Sequence, residues 1–199
     1  MISDVNLLIQ RFSAGSVSLG DIEMLIHFAK DLDTVVELGT NIGTTSILLS
    51  AVAKKVYTAD VFEKVDLIED EEQRGVYAKS FGNNKHYYST IIKKLHPFNV
   101  DVSQCLSHQF AEAFLPQSVD MVFIDADHSY NGVKKDFESW FDRVKIGGVF
   151  AFHDCVKPFP VYEYKNEVLD YDKRLENVSD YLPIHNPSGT SVVVYKRIA

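Results

Sequence analysis

The stretch TVVELGTNIGTTS, residues 34–46, decides the fold of this chain. It starts with a short valine-rich run that predicts a buried β-strand, and from Thr44 onward its apolar residues recur at helical spacing. Gly39 and Gly43 mark the turn between the two patterns. Because glycine adopts positive φ and has no Cβ, a ligand can lie against bare backbone at the carboxyl end of the strand. The stretch therefore predicts a ligand-binding strand, turn and helix.

The residues around this turn limit the kinds of ligand that it can bind. The turn lacks the third glycine of a dinucleotide fingerprint and the lysine of a phosphate-binding loop. Glu37 precedes the first glycine, and its carboxylate favours a cationic ligand. About twenty residues later a second predicted strand ends in Asp60, where an acid commonly accepts hydrogen bonds from ribose hydroxyls. A cationic group together with a ribose indicates S-adenosylmethionine (SAM).

This arrangement resembles the class I SAM-dependent methyltransferases over about residues 34–197. Their glycine motif is an acid followed by alternating glycines, and Asn41 here replaces the middle glycine. Asparagine tolerates the left-handed backbone region, so we expect the turn to keep its shape. The residues that the resemblance assigns to the cofactor are Glu37, Gly39, Thr40, Asn41, Gly43, Asp60, Ser103 and Asp125. Ser103 follows a predicted third strand at residues 98–102, where family members line the adenine pocket.

A second informative segment, DMVFIDADHSYNGVKKDFESWFDRVKIGGVFAFHDC, covers residues 120–155. It predicts a strand, an acidic turn, a helix, a glycine turn, a strand and a second acidic turn. The apolar runs are continuous, which is typical of parallel strands covered by helices on both sides. Asp125 follows the first strand and Asp154 follows the second. A right-handed crossover makes the strands neighbours, so we expect both acids at the same sheet edge as Gly39.

Two carboxylates at adjacent strand ends suit a divalent cation, and Mg²⁺ is the natural candidate because it prefers oxygen ligands. His128 lies three residues after Asp125, and an imidazole with a pKa near neutrality can remove a proton from an acceptor hydroxyl. A bound cation would lower the pKa of that hydroxyl and align it with the methyl group of SAM. These residues together indicate O-methylation of a small acceptor.

The segment is similar to the metal-dependent O-methyltransferases, in particular the branch of macrolide sugar O-methyltransferases and cephalosporin-hydroxylase-like proteins. The resemblance implies Asp125 as first metal ligand, His128 as general base, and His153 with Asp154 as the second ligand cluster. Relatives have two carboxyl or amide ligands where this chain has an imidazole, so a softer metal is an open alternative. It is equally open that His153 only hydrogen-bonds to a ligand.

Composition limits the classes of protein to which the chain can belong. The chain has 199 residues, of which 46% are hydrophobic and 24% charged, as is typical of a globular domain. Its net charge of −8 argues against an extended nucleic-acid surface, which needs clustered basic residues. The first residues lack the pattern of a signal peptide and no stretch has membrane-spanning length, so we expect a cytoplasmic protein. The sequence leaves open whether the protein forms a homo-oligomer.

The predicted fold is an α/β, Rossmann-like, doubly wound and mainly parallel seven-stranded sheet with an antiparallel C-terminal hairpin. Residues 1–33 predict a helical extension packed on the core, with Ser18 and Asp21 as a capping box, and residues 34–199 predict the methyltransferase domain. Helices are expected near residues 71–81 and 88–95.

Three alternatives remain open at this point. A metal-independent methyltransferase of the same fold would stay active in chelator. An NAD-dependent oxidoreductase would bind NAD and would not bind SAM. A non-catalytic subunit would bind SAM without transferring its methyl group.

Overall fold

The computed structural model of the chain describes residues 17–68, 70–81, 84–179 and 189–199. Within them, seven strands form one sheet. The strands are β1 (Val35–Leu38), β2 (Val56–Asp60), β3 (Val100–Gln104), β4 (Val119–Ile124), β5 (Val144–Phe152), β6 (Leu175–Asn177) and β7 (Val193–Arg197). Their order across the sheet is β3-β2-β1-β4-β5-β7-β6.

The first five strands run parallel, and the last two form an antiparallel end of the sheet. β1 pairs with β2 on one side and β4 on the other, β3 extends the sheet from β2, and β5 extends it from β4. β7 runs antiparallel to both β5 and β6. The strand order reverses between β1 and β4, the point at which ligands bind to open α/β sheets. The predicted fold class is confirmed.

Helices cover both faces of the sheet. The helices of the described residues are α1 (Leu19–Ala29), α2 (Thr44–Ser50), α3 (Glu71–Phe81), α4 (Tyr87–Leu95), α5 (Ser107–Phe110), α6 (Tyr130–Phe141) and α7 (Pro160–Glu167). Successive strand residues point to opposite faces, so Val35 joins a core with α1, α2 and α4, and Val36 joins a second core with α6 and α7. None of the described helices has the length and apolar character that crossing a membrane requires.

Helix α1 begins with the predicted capping box. The Ser18 hydroxyl accepts a hydrogen bond from the backbone N–H of Asp21 at 3.2 Å, and the Asp21 carboxylate accepts one from the backbone N–H of Ser18 at 3.0 Å. Ile22 and Leu25 are buried in the first core, so α1 packs on the sheet. Residues 1–16 of the predicted N-terminal extension lie outside the described residues.

Strand β3 is predicted at residues 98–102, but in the structure it begins and ends two residues later. The backbone N–H of Phe98 donates to the carbonyl oxygen of Leu95, so the chain is still leaving α4 at that point. Val100 is the first residue of β3 to pair with β2, opposite Val56. The helix predicted at residues 71–81 is α3, and the one predicted near residues 88–95 is α4.

The C-terminal hairpin has its last strand where the sequence predicts it. The sequence predicts its two strands around a Pro-Ser-Gly turn at residues 187–189. The second of these strands is β7. The first is predicted just before the turn, and residues 180–188 lie outside the described residues. The strand that pairs with β7 at the sheet edge, β6, comes earlier in the chain.

Candidate active site

The glycine turn between β1 and α2 has the left-handed backbone that the sequence predicts. The φ angle is +95° at Gly39, +46° at Asn41 and +76° at Gly43, so Asn41 adopts the conformation expected of the middle glycine. Packing excludes a side chain at position 39 and leaves little room for one at position 43. A Cβ on Gly39 would lie 2.1 Å from the carbonyl oxygen of Asp125, and a Cβ on Gly43 would lie 3.0 Å from the Leu95 side chain. The missing Cβ of Gly39 therefore lets β1 and β4 approach each other.

A cavity of about 660 Å³ lies beside the carboxyl ends of β1, β2 and β4. This volume falls within the usual range of small-molecule sites. Gly39, Asp60 and Ala126 line it at the three strand ends. Tyr77 of α3 lines it from the opposite side, and its hydroxyl donates a hydrogen bond to the carbonyl oxygen of Ala126. Of the residues that the sequence assigns to the cofactor, Gly39 and Asp60 line this cavity, whereas Thr40, Asn41 and Asp125 line a separate small pocket.

Asp60 links this cavity to the glycine turn. One carboxylate oxygen accepts a hydrogen bond from the backbone N–H of Asn41, and the other accepts one from the backbone N–H of Phe62, both at 2.9 Å. A carboxylate oxygen can accept more than one hydrogen bond, so each retains capacity for a further donor. Asp60 thus holds the turn in place and retains the acceptor capacity that a contact with ribose hydroxyls requires.

Glu37 lies behind the turn and outside the lining of the cavity. Its carboxylate accepts hydrogen bonds from the Ser46 hydroxyl and, at 3.0 Å, from the Thr58 hydroxyl, which also pairs with Thr40 at 2.7 Å. Burial raises the pKa of the Glu37 carboxyl to about 8. The Glu37 carboxyl is therefore mostly protonated at neutral pH, and it must lose this proton before it attracts a cationic ligand. The assignments of Glu37 and Thr40 to the cofactor stay predictions.

The residues that follow β3 and line the cavity are not the residue that the resemblance assigns to the adenine pocket. Cys105 and Ser107 line the cavity, whereas Ser103 lies within β3 and outside the lining. The difference follows from the shift of β3 described above, because residues that directly follow a parallel strand face the ligand site. A correct strand boundary would have identified Cys105 and Ser107, and the role of Ser103 stays a prediction.

Asp136 of α6 is a lining residue that sequence reasoning missed. It is buried, one carboxylate oxygen accepts a hydrogen bond from the Ser107 hydroxyl at 2.6 Å, and the other has no partner among the described residues. Burial raises the pKa of the Asp136 carboxyl to about 7. In the sequence, Asp136 stands between Lys135 and Phe137 in a helix, a setting that does not indicate whether an acid is buried.

An acid–histidine cluster, formed by Asp125, His128, His153 and Asp154, lies at the ends of β4 and β5. Nδ1 of His153 lies 2.9 Å from Oδ1 of Asp125 and 3.3 Å from Oδ1 of Asp154. Nε2 of His128 lies 3.3 Å from Oδ1 of Asp125 and 3.1 Å from Oδ2 of Asp154. The predicted meeting of these residues at one edge of the sheet is confirmed.

Asp21 of α1 reaches the same cluster from the other side of His153. Its Oδ2 lies 3.5 Å from Nε2 of His153. The sequence interpretation treated Asp21 only as part of a helix cap, because no local pattern connects the start of α1 with the end of β5.

The cluster is balanced in charge by protons on its histidines. Burial alone lowers the pKa of an imidazole, but the neighbouring carboxylates outweigh it and raise the pKa of His128 to about 9 and that of His153 to about 10. Burial alone raises the pKa of Asp125, but the two histidines hold it below its ordinary value. At neutral pH two imidazolium ions therefore compensate the surrounding acids, and one divalent cation would supply the same charge.

The donor set of the cluster fits a metal ion. One ligand atom from each of Asp125, His128 and His153 lies within 4.8 Å of the others. Both ring nitrogens of His153 are buried and neither makes a well-directed hydrogen bond, although carboxylates lie within ion-pair distance. Buried polar atoms are normally hydrogen-bonded, and metal ligation is one way to satisfy such a nitrogen. Carboxylates combined with imidazole are ligands of Mn²⁺, Co²⁺ and Zn²⁺.

Comparison with protein families matches residues 36–155, more than half of the chain, to the family described as a methyltransferase domain. A curated protein of Sinorhizobium fredii (strain NBRC 101917 / NGR234), described as uncharacterized protein y4gI, is 31% identical over 146 residues. This match covers 67% of the chain and 15% of the relative, so the chain spans a small part of that protein's length.

Solved methyltransferase structures share the fold. A methyltransferase from Geobacter sulfurreducens gives a TM-score of 0.62 at 13% identity, covering 98% of this chain and 87% of the other. An rRNA methylase from Streptococcus thermophilus gives 0.55 at 16% identity, with 89% and 94% covered. A Streptococcus mutans structure in complex with SAH gives 0.51 at 15% identity, with 88% and 94% covered. Together with the family match, these likenesses lead to one conclusion: the chain belongs to the methyltransferase-domain family and has the class I SAM-dependent methyltransferase fold.

Proposed function

We propose that this protein is a SAM-dependent methyltransferase that methylates a hydroxyl group of a small-molecule acceptor with the help of a divalent metal ion. The observation that carries the proposal is the arrangement at one sheet edge. A cavity of about 660 Å³, a glycine turn and an acid–histidine cluster meet there: Gly39 lines the cavity and packs against the backbone of Asp125, whose side chain belongs to the cluster. Family membership supports the methyl transfer, and the cluster supports the hydroxyl acceptor.

The cavity suits the nucleoside part of SAM. Asp60 faces it with acceptor capacity for ribose hydroxyls, and the unpartnered oxygen of Asp136 offers an acceptor at its wall. The methionine part would lie along the bare backbone of Gly39, towards the cluster. SAM supplies, when bound, a methyl group on a positively charged sulfur that a nucleophile can displace. The work of the protein is then chiefly to align the acceptor with this methyl group.

Asp125, Asp154 and Nδ1 of His153 are the groups that would hold the metal ion. A bound divalent cation supplies positive charge that lowers the pKa of an acceptor hydroxyl. Because the set includes an imidazole, we expect Mn²⁺, Co²⁺ or Zn²⁺ to bind more tightly than Mg²⁺, which prefers oxygen ligands.

His128 is the proposed general base. Its side chain is 37% exposed, whereas those of Asp125, Asp154 and His153 are 12%, 14% and 8% exposed, so His128 is the group that an incoming acceptor reaches first. With a pKa of about 9 it holds a proton at neutral pH. Added positive charge beside the two acids would favour release of that proton, which converts His128 into its basic form.

A metal-independent methyltransferase is the second candidate, and the charge balance of the cluster favours it. The two imidazolium ions already compensate the acids, so the cluster is stable without a cation. In that case His128 would act as a base only above its pKa, or after binding of the acceptor has caused it to release its proton. His128 as a third metal ligand is a variant of the main proposal, because its Nε2 lies as near to the acids as Nδ1 of His153 does.

The test is transfer of an isotope-labelled methyl group from SAM to a panel of sugars, phenols and other small hydroxyl compounds. The protein is first treated with chelator, and Mg²⁺, Mn²⁺, Co²⁺ and Zn²⁺ are then added back separately. We expect transfer to a hydroxyl that is lost in chelator and restored by a cation. Transfer that is unaffected by chelator would support the metal-independent candidate. SAM binding without transfer to any acceptor would indicate a non-catalytic subunit.

A pair of variants separates the roles of His128. His128→Ala is expected to lower methyl transfer by about 100-fold or more, the usual size of general-base catalysis, and to leave Co²⁺ affinity nearly unchanged. A parallel loss of Co²⁺ affinity would make His128 a ligand. The control is His96→Ala, which removes an exposed histidine at the end of α4 and is expected to change neither property.

A further inference from the structure

Helix α3 forms the wall of the large cavity that faces the strand ends. Gln73 and Tyr77 of this helix line the cavity, together with Ile68 and Asp70 just before it. The residues that follow β1, β2 and β4 line the other side. A ligand in the cavity is therefore enclosed between α3 and the edge of the sheet.

This helix is packed less deeply than the other helices of the described residues. None of residues 71–80 is buried, whereas each of the other helices has at least one buried residue. Burial of an apolar face supplies most of the free energy that holds a helix in a protein, and segments with few buried apolar contacts open most readily. Residues 71–80 can therefore separate from the sheet edge with little loss of buried apolar surface.

A hydrogen bond from Tyr77 joins α3 to the opposite wall of the cavity. Its hydroxyl donates to the backbone carbonyl oxygen of Ala126, which lies just beyond the end of β4, and both residues line the cavity. Burial raises the pKa of the Tyr77 hydroxyl, and the carboxylates of Asp60 and Asp125 raise it further, so the hydroxyl keeps its proton and stays a donor. Because the acceptor is a backbone atom of the protein, the bond does not depend on a ligand.

We propose that α3 is a lid over the cofactor cavity and that the hydrogen bond between Tyr77 and Ala126 is the latch that keeps the lid closed. SAM enters when this bond breaks and α3 moves away from the strand ends. S-adenosylhomocysteine (SAH), the product that SAM leaves after methyl transfer, departs in the same way. In many enzymes such a movement limits the rate of product release. The inference rests on the proposed function in so far as the cavity holds the nucleoside part of SAM.

Tyr77→Phe tests the latch, because it removes the hydroxyl and keeps the aromatic ring. Tyr88→Phe is the matched control. The Tyr88 hydroxyl also donates to a backbone carbonyl oxygen of a strand, that of Val102 at 3.1 Å, but Tyr88 lies outside the lining of the cavity. A general effect of losing a bond between a tyrosine and the backbone should therefore appear in both variants, whereas an effect on the lid should appear only in Tyr77→Phe.

The first readout is the pair of rate constants for SAH association and dissociation, measured by surface plasmon resonance. Loss of the latch makes opening easier both with and without bound SAH. We therefore expect both rate constants of Tyr77→Phe to rise by a similar factor of about 2 to 10, the usual effect of one hydrogen bond, so that the dissociation constant changes by less than either. Tyr88→Phe should match the wild type.

Three results of this measurement would overturn the inference. The first is a set of rate constants that is unchanged in Tyr77→Phe, and the second is an equal change in both variants. The third is a rise of the dissociation rate constant alone, with a matching loss of affinity, because Tyr77 would then be a contact of SAH and not a latch.

The second readout is hydrogen exchange of the backbone amides, measured by mass spectrometry. In the wild type we expect SAH to slow exchange of the α3 amides and to leave that of the α4 amides unchanged, because a bound ligand keeps the lid closed. Exchange in α3 that SAH does not slow would overturn the inference even if Tyr77→Phe does not fold.

The two proposals fail separately. If the wild type does not bind SAH, the proposed function is wrong. Hydrogen exchange without SAH then decides on the latch alone: the α3 amides should exchange faster in Tyr77→Phe than in the wild type and in Tyr88→Phe. The same exchange of these amides in all three proteins would contradict the latch.

Discussion

Replacing Gly39 by alanine tests whether the close approach of β1 and β4 holds the site together. The added Cβ would lie 2.1 Å from the carbonyl oxygen of Asp125 and 2.7 Å from its carbonyl carbon. Both are backbone atoms, so no side-chain rotation relieves the clash. Gly147 is a matched control, because its φ of +86° resembles the +95° of Gly39 while a Cβ there meets no atom within 4 Å.

The two variants share one energetic cost and differ in another. An alanine with positive φ costs about 1–2 kcal/mol at either position. At Gly39 the forced separation of packed backbone adds about 1–3 kcal/mol. We therefore expect the free energy of unfolding to fall by about 1–2 kcal/mol in Gly147→Ala and by about 2–5 kcal/mol in Gly39→Ala.

Urea unfolding and calorimetric titration with SAH measure the two consequences. Because Gly39 lines the cavity, displacing its backbone in Gly39→Ala should weaken SAH binding by about tenfold or more, about 1.4 kcal/mol. Gly147→Ala should bind SAH like the wild type. Equal losses of stability in the two variants, or unchanged SAH affinity in Gly39→Ala, would refute the reasoning.

Three further outcomes follow from the structure. The folded protein keeps the Glu37 proton up to a pKa of about 8, whereas the ordinary value is 4.5, so stability falls as the pH rises through this window. Between pH 5 and pH 9, urea unfolding should show a loss of stability that is about 4 kcal/mol larger in the wild type than in Glu37→Gln, and parallel curves would contradict it. Co²⁺ affinity should rise up to about tenfold per pH unit between pH 7 and 9, because His153 must lose its proton to bind the ion, and a flat profile would count against His153 as a ligand. Gly75→Ala, at an exposed position of α3 where a Cβ meets nothing, should raise stability by about 0.5–1 kcal/mol in urea unfolding, and a loss would indicate an unrecognised contact.

Local patterns in the sequence predicted much of the fold. The change from a strand pattern to a helical one at Gly39 located β1 and α2, and the paired Ser18 and Asp21 located the start of α1. The acids after two apolar runs located the ends of β4 and β5, and strand adjacency then brought Asp125 and Asp154 together. Each of these predictions depends on residues close in sequence or on a general rule of sheet topology.

Contacts between distant parts of the chain could not be predicted in the same way. The carbonyl oxygen that excludes a Cβ at Gly39 belongs to the end of another strand, and the acid behind His153 belongs to the first helix described. Asp136 has the sequence surroundings of a surface residue and becomes buried only because α5 packs against α6. Such positions depend on packing in three dimensions, for which a single sequence gives no local signal.

A crystal structure of the protein with bound SAH is the most direct test of the cofactor site. We expect the ribose hydroxyls within hydrogen-bond distance of the Asp60 carboxylate, the adenine in the cavity beside Asp136, and the sulfur on the side of Gly39 that faces Asp125. SAH bound elsewhere on the chain, or bound in the cavity without contact to Asp60, would contradict the proposed function.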